Sequence, residues 1–333
     1  MESQKKYCET DILEDYILEL SPDLFNILLK DQTMSTADSQ RNIFWATRDY
    51  ERLGKGYEYK SPIMPELITR KNGHVIMPRV LKRRDLQRDR SREKAEVFTP
   101  SWICNTQNNL VDSSWFGRED VFNHENNDRT WTTNTDKIVF PECKTWHDYV
   151  RSTQLEITCG EAPYLVSRYD TTTGQPIALE NRIGLLDRKL RIVGENTETS
   201  SDWLKWAKAA FQSTYGYEWQ GDNLLIAREN LLMTFVEYYQ AKFNHTPQLK
   251  SLLDIANIIS WNLWQMDGLK CVIPDSCGLR PSAQQLMFDE PEMIPCNGCK
   301  TSNMHKHNGI YCKIKDWSEN KTLTFVSLLK ERK

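Results

Sequence analysis

The sequence has no apolar run approaching the ~20 residues that a membrane-spanning helix needs, so a helical membrane protein is not expected. Its opening, Met-Glu-Ser-Gln-Lys-Lys-Tyr, lacks the apolar core of a signal peptide. There is no excess of positive charge: 43 Lys and Arg against 46 Asp and Glu leave −3, so the molecule is not a polycation. Nucleic-acid binding would have to come from a local basic face. There is no paired cysteine framework. Nine cysteines is an odd number and most stand alone, which points to reduced thiols and a cytoplasmic setting. Internal repeats and low-complexity segments are also missing. What is present is 333 residues, enough for two domains or one elaborated α/β domain, with 11 Trp and 13 Tyr to be accommodated.

Residues 11–29 have a helical pattern broken at Ser21-Pro22, where Ser21 suits an N-cap and Pro22 the first helical position. Asn72-Gly73 lies between two short apolar runs, 66–69 and 74–77, and predicts a hairpin. From Arg79 to Lys94 the chain turns basic. Lys82, Arg83, Arg84 and Arg88 read either as a phosphate-contacting segment or as a solvated helix face with i,i+4 ion pairs. Further on, strands are expected at 155–159, 215–219 and 258–266, with helices at 203–213 and 223–242 between them. Alternation of this kind argues for a parallel sheet with crossover helices.

Residues 153–166 read Thr-Gln-Leu-Glu-Ile-Thr-Cys-Gly-Glu-Ala-Pro-Tyr-Leu-Val. The pattern is a strand, a tight turn at Gly160 and a helix opening near Ala162-Pro163. Such a turn collects backbone N–H groups at one point, where a ligand can dock. Downstream, Glu218 ends the second expected strand and Asp222 precedes a helix. A strand-end carboxylate can accept from ribose hydroxyls. Glu218 is the preferred candidate and Asp222 the alternative, the latter also reading as an N-cap. Asp267 ends the third strand just before Gly268, where a turn role is the simpler alternative.

The 153–166 segment resembles the S-adenosylmethionine loop of N6-adenine DNA methyltransferases. Its companions occur in that family's order. Phe98-Thr99-Pro100 resembles the motif covering the methionine end of the cofactor, Glu218 the ribose-binding acid, and Asp267 the acid that accepts from the cofactor's adenine amino group. The resemblance implies a methyltransferase-type, Rossmann-like three-layer α/β sandwich with a partial sheet. It divides the chain into an N-terminal extension (1–95), an S-adenosylmethionine-binding domain (96–275) and a small Cys/His module (276–333). The implied cofactor site is Phe98, Thr99, Pro100, Glu156, Cys159, Gly160, Glu218 and Asp267. Two departures, Glu161 beside the ligand and Ala162 in place of a second glycine, imply weak binding. The segment 170–201 has no counterpart in the motif and no assigned role.

One family motif is missing. The Asn/Asp-Pro-Pro-Tyr/Phe turn holds the flipped adenine and accepts from its N6, and this sequence has no Pro-Pro pair. The resemblance therefore implies the cofactor-binding subunit, or a relative, of a DNA adenine methyltransferase in a restriction–modification system. DNA and a second subunit carrying the catalytic motif are the expected partners. A catalytically inactive DNA-binding or regulatory protein with the same fold is the alternative.

The C-terminal part carries Cys296-Asn297-Gly298-Cys299, then His305, His307 and Cys312. A Cys-x2-Cys knuckle with a later Cys and His has zinc-ligand spacing. Cys296, Cys299 and Cys312 with His305 or His307 are the expected ligands, while Cys277 reads as neutral. A hairpin from 309–317 and 322–329 is expected beside it. The 322–329 run is also apolar enough to cover the free edge of the first sheet strand.

Overall fold

A computed structural model describes residues 10–84, 87, 90, 98–281 and 293–330. The fold is mixed α/β, and at its centre is a three-stranded parallel sheet. Two N-terminal helices, α1 (Glu14–Leu20) and α2 (Pro22–Leu29), are separated as expected. The Ser21 hydroxyl accepts from the Leu24 N–H and Pro22 opens α2. The Asn-Gly hairpin does not form. Pro65 starts the short helix α3 (Pro65–Ile68), which the Thr69 hydroxyl closes by donating to the Pro65 carbonyl. Gly73 then sits at φ −62°, whereas the hairpin turn expected there needs positive φ.

Helix α4 (Ser101–Phe116) precedes a small antiparallel pair, β1 (Asn123–Glu125) and β2 (Trp131–Thr133). After α5 (Trp146–Arg151) comes the first central strand, β3 (Gln154–Glu156). Helices α6 (Leu185–Asn196) and α7 (Ser200–Gln212) lead to β4 (Thr214–Glu218). Helices α8 (Gly221–Phe243) and α9 (Leu249–Asn262) lead to β5 (Leu263–Gln265). The order is β3-β4-β5 with both pairings parallel, and Glu156 registers with Gly216 while Glu218 registers with Gln265. The third strand is shorter than expected, because residues 258–262 form the last turn of α9. Buried Ile258 and Ile259 belong to a helix face there. No helix opens at Ala162 either: residues 157–165 form successive turns.

The two faces of the sheet have different covers. Leu263 joins the main core with apolar residues of α2 and α6–α9, and Ile43, Trp45 and Ile63 of the N-terminal part pack into that same core. On the other face Tyr217 and its register partner Trp264 pack with Met266, Cys271, Ile273, Cys312, Ile314 and Val326. This second cover is the C-terminal part, where β6 (Arg280–Pro281) pairs with β7 (Met293–Ile294), helix α10 spans Asn297–Thr301, and β8 (Lys313–Asp316) pairs with β9 (Lys321–Thr324). The expected hairpin is thus present. It does not extend the central sheet, and among the described residues β3 pairs only with β4.

The 170–201 segment supplies internal ion pairs. Arg182 pairs with Glu237 on α8, which Arg168, just before the segment, also meets, and Arg188 on α6 pairs with Asp112 on α4, all with side chains largely removed from solvent.

Candidate functional site: a cleft at the strand ends

Beyond the carboxyl ends of β3 and β4 lies a cleft of about 1020 Å³. Its walls come from the 154–160 segment, residues 218–220, the 46–49 loop, Phe98-Thr99 and one side of α4. A cleft at this place in a parallel sheet is where ligands of open α/β proteins dock.

The turn after β3 has an unusual backbone. Thr158, Gly160 and Ala162 all have positive φ, at 47°, 54° and 64°. Two of the three carry side chains, and that conformation is sparsely populated for such residues. Gly160 lies under Phe98: a β-carbon there would stand 3.6 Å from the ring. The turn can pack on β4 because Gly216 has no side chain, and a β-carbon at 216 would approach the Cys159 Sγ to 3.2 Å.

Carboxylates fix this turn. Glu218 accepts from the Gly160 N–H at 2.9 Å and the Gln220 N–H at 3.1 Å, clamping the turn after β3 to the one after β4. Glu156 is largely buried, although it reaches the cleft wall, and accepts from the Leu165 N–H at 3.2 Å. Burial pushes its carboxyl well above the ordinary range, against the pull of the Tyr164 and Leu165 amides, and Glu218 adds to the rise. The Cys159 thiol is pushed far up by burial and by Glu156 and Glu218, which favours its protonated form.

Six of the eight residues expected at the cofactor site line this cleft: Phe98, Thr99, Glu156, Cys159, Gly160 and Glu218. Pro100 and Asp267 do not. Pro100 precedes α4, whose first N–H, at Ser101, donates to Asp170 at 2.7 Å. Asp267 is engaged in a turn, accepting from the Leu269 and Lys270 N–H groups and pairing with the Lys270 ammonium at 2.9 Å. Glu161, expected to repel a ligand, does not line the cleft. It is buried and accepts from the Arg79 N–H and the Tyr169 hydroxyl, each at 2.6 Å.

Asp222 is not the N-cap of α8, which begins one residue before it. It is fully buried and accepts from the Tyr50 hydroxyl at 2.7 Å, from Arg90 at 2.8 Å and from Lys82 at 3.1 Å. Lys82 is therefore turned inward and does not offer its charge to a phosphate. Arg83 and Arg84 are exposed, and Arg88 lies outside the described residues. Arg90 also pairs with Asp49 at 2.9 Å and donates to Asn223 at 3.3 Å, and both of these line the cleft. The sequence did not mark this network, because its members lie far apart along the chain.

The Cys/His expectation changes in one ligand. Cys277, Cys296, Cys299 and His307 bring their donor atoms within 4.8 Å of one another and could hold a metal ion. Cys312 belongs to the second apolar cluster, its thiol donating to the Gln265 carbonyl at 3.3 Å. His305 is not in the group. No known protein family, curated protein or solved structure matches this chain. Among the described residues no helix is long and apolar enough to cross a membrane.

Proposed function

We propose that the chain binds S-adenosylmethionine in the cleft at the ends of β3 and β4, as the cofactor-binding part of a DNA adenine methylation system. The carrying observation is that Phe98, Thr99, Glu156, Gly160 and Glu218, distant in sequence, line one cleft at the carboxyl ends of adjacent parallel strands. Glu218 would accept from the ribose hydroxyls, and Phe98 would offer an apolar face to the ligand. Gly160, at positive φ and without a side chain, lets backbone approach the ligand closely. The engagement of Glu161 with Arg79 and Tyr169 removes one reason for weak binding. When bound, the cofactor supplies an electrophilic methyl group on a sulfonium centre. The acceptor side is a separate matter: with no Pro-Pro-aromatic turn in this sequence, a second subunit would present the adenine, and exposed Arg83 and Arg84 are candidates for phosphate contact.

Isothermal calorimetry with S-adenosylmethionine tests the reading. Wild type should bind at micromolar affinity, and Glu218→Gln should lose about tenfold or more, since a charged acceptor is worth about 1.5–3 kcal/mol. Absence of heat from folded wild-type protein would refute the proposal. Equal affinity for Glu218→Gln would remove that residue from the site.

A further inference from the structure

We propose that Cys277, Cys296, Cys299 and the Nδ1 atom of His307 form a closed, structural zinc centre that fastens the C-terminal cover onto the Tyr217–Trp264 face of the sheet. The geometry carries this assignment. The three Sγ atoms lie 3.5, 3.5 and 3.6 Å from His307 Nδ1. One imidazole nitrogen carries at most one proton, so it cannot donate to three sulfurs at once. A tetrahedral ion with Zn–S about 2.3 Å and Zn–N about 2.0–2.1 Å sets its sulfur-to-nitrogen edges at about 3.5–3.6 Å. The three sulfur-to-nitrogen distances match those edges.

The surrounding chain is shaped to this group. Cys296 immediately precedes α10 and Cys299 lies within it, so both thiols come from one turn. Between them Gly298 leaves room for His307, since a β-carbon at 298 would fall 2.6 Å from the imidazole. Gly309 does the same for Cys277, where a β-carbon would fall 2.9 Å from Sγ. The Asn308 N–H donates to the Cys296 sulfur at 3.2 Å, an outer contact that steadies a ligating thiolate. Tyr311 accepts from the His307 N–H at 2.9 Å and donates to the Met304 carbonyl at 2.8 Å, holding the histidine loop. Four protein ligands leave no open position, which is the mark of a structural rather than a catalytic site.

The consequence lies in what the ligands join. Cys277 follows the segment leaving β5, and the other three precede β8. The same two segments are joined by the Ile273 N–H to the Ile310 carbonyl at 2.8 Å and the Cys312 N–H to the Cys271 carbonyl at 3.1 Å. Cys271, Ile273 and Cys312 then cover Tyr217 and Trp264. Apolar packing of Ile314, Val326 and Phe325 also holds this cover, and a metal ion tying the two segments together would add its binding energy to the folding energy of the unit.

The test uses the full chain purified without chelator. Elemental analysis should give about one zinc per chain, and zinc-edge X-ray absorption should read three sulfurs and one nitrogen. Cys277→Ser and His307→Ala should each bring the zinc content below about a tenth of wild type, while Cys312→Ser and His305→Ala retain it. If a ligand variant fails to fold, the absorption spectrum of wild type still decides the ligand set. Zinc-free wild type that also takes up no added zinc or cobalt(II) would overturn the proposal. So would a shell other than three sulfurs and one nitrogen, or retention of zinc by Cys277→Ser with loss from Cys312→Ser.

Discussion

Replacing Asp222 by asparagine removes a charge and leaves the shape almost unchanged. The carboxylate has no solvent exposure, and its two cations, Arg90 and Lys82, have side chains only 3% and 6% exposed. Burial alone would push the Asp222 carboxyl up, but Arg90 and Lys82 outweigh it and hold the group well below the usual carboxylate range. The substituted amide could still accept one hydrogen bond, yet both cations would face a neutral group in a water-poor interior. Breaking a buried pair from one side costs about 3–5 kcal/mol. Arg90 keeps Asp49, which is 24% exposed and so compensates it in part, and the lower end of that range, about 3 kcal/mol, is expected. The loss should reach the cleft, because Asp49 and Asn223 line it and both contact Arg90. Urea denaturation followed by tryptophan fluorescence gives the stability change. The double variant Asp222→Asn/Lys82→Met gives the coupling, expected at about 1–3 kcal/mol because removing the second charge relieves part of the damage. A single variant within about 0.5 kcal/mol of wild type, or strict additivity in the double variant, would refute this account of the network.

Other expectations follow from the turn, the buried acids and the metal group. Gly160→Ala should cost about 1–2 kcal/mol by urea denaturation, because φ is +54° although the space for a β-carbon exists. Ala162→Gly, at φ +64°, should be neutral or stabilising by under about 1 kcal/mol, and a clear destabilisation would show that packing of the Ala162 methyl dominates. Burial pushes the Asp187 carboxyl up to about 6 from its ordinary 3.8, so the native state holds this proton more tightly than the unfolded chain. Its stabilising contribution is full below the unfolded value and is lost as pH rises through about 6. Asp187→Asn should flatten the stability profile over that window, and an unchanged profile would count against it. Chelator should lower the midpoint of thermal unfolding and open Trp264 to a fluorescence quencher. An unmoved midpoint after proven zinc removal would deny the metal its structural role.

How much of this was legible depended on the range of the interactions. Ser21-Pro22 encodes a local cap, and it formed. The parallel, adjacent strands bearing Glu156 and Glu218 follow from alternation and order along the chain, but the first ends at Glu156 and not at Cys159, because the chain turns at Ile157-Thr158. The end of α9 was ambiguous because a short apolar run such as 258–266 suits a buried helix face as well as a strand. The Asn72-Gly73 signal lost to Pro65, which began a helical turn just upstream. Asp222 read as a cap, since nothing near it in sequence announces Tyr50, Lys82 and Arg90. Cys277 read as neutral for the same reason: it lies well outside the Cys-x2-Cys knuckle, while Cys312 is nearer in sequence and is drawn instead into apolar packing, its thiol donating to the Gln265 carbonyl.

The position of β9 bears on the proposed function. The sheet has β3 at one side, with Leu155 42% exposed and the following Ile157 64% exposed. An apolar strand edge is normally covered or blunted. The C-terminal run expected to cover it instead forms a hairpin with β8, and its continuation packs Val326 under Tyr217 and Trp264. The acceptor side of an adenine methyltransferase requires a group that accepts from N6 and an aromatic that stacks on the flipped base. This sequence offers no Pro-Pro-aromatic turn to do so. Purified chain, tritiated S-adenosylmethionine and DNA of varied sequence should therefore give no incorporation above the protein-free blank, even at cofactor concentrations that saturate the cleft by calorimetry. Binding without transfer supports a cofactor half awaiting its acceptor half. Robust incorporation by the lone chain would show that another set of residues presents the adenine, and that the missing turn does not limit the chemistry.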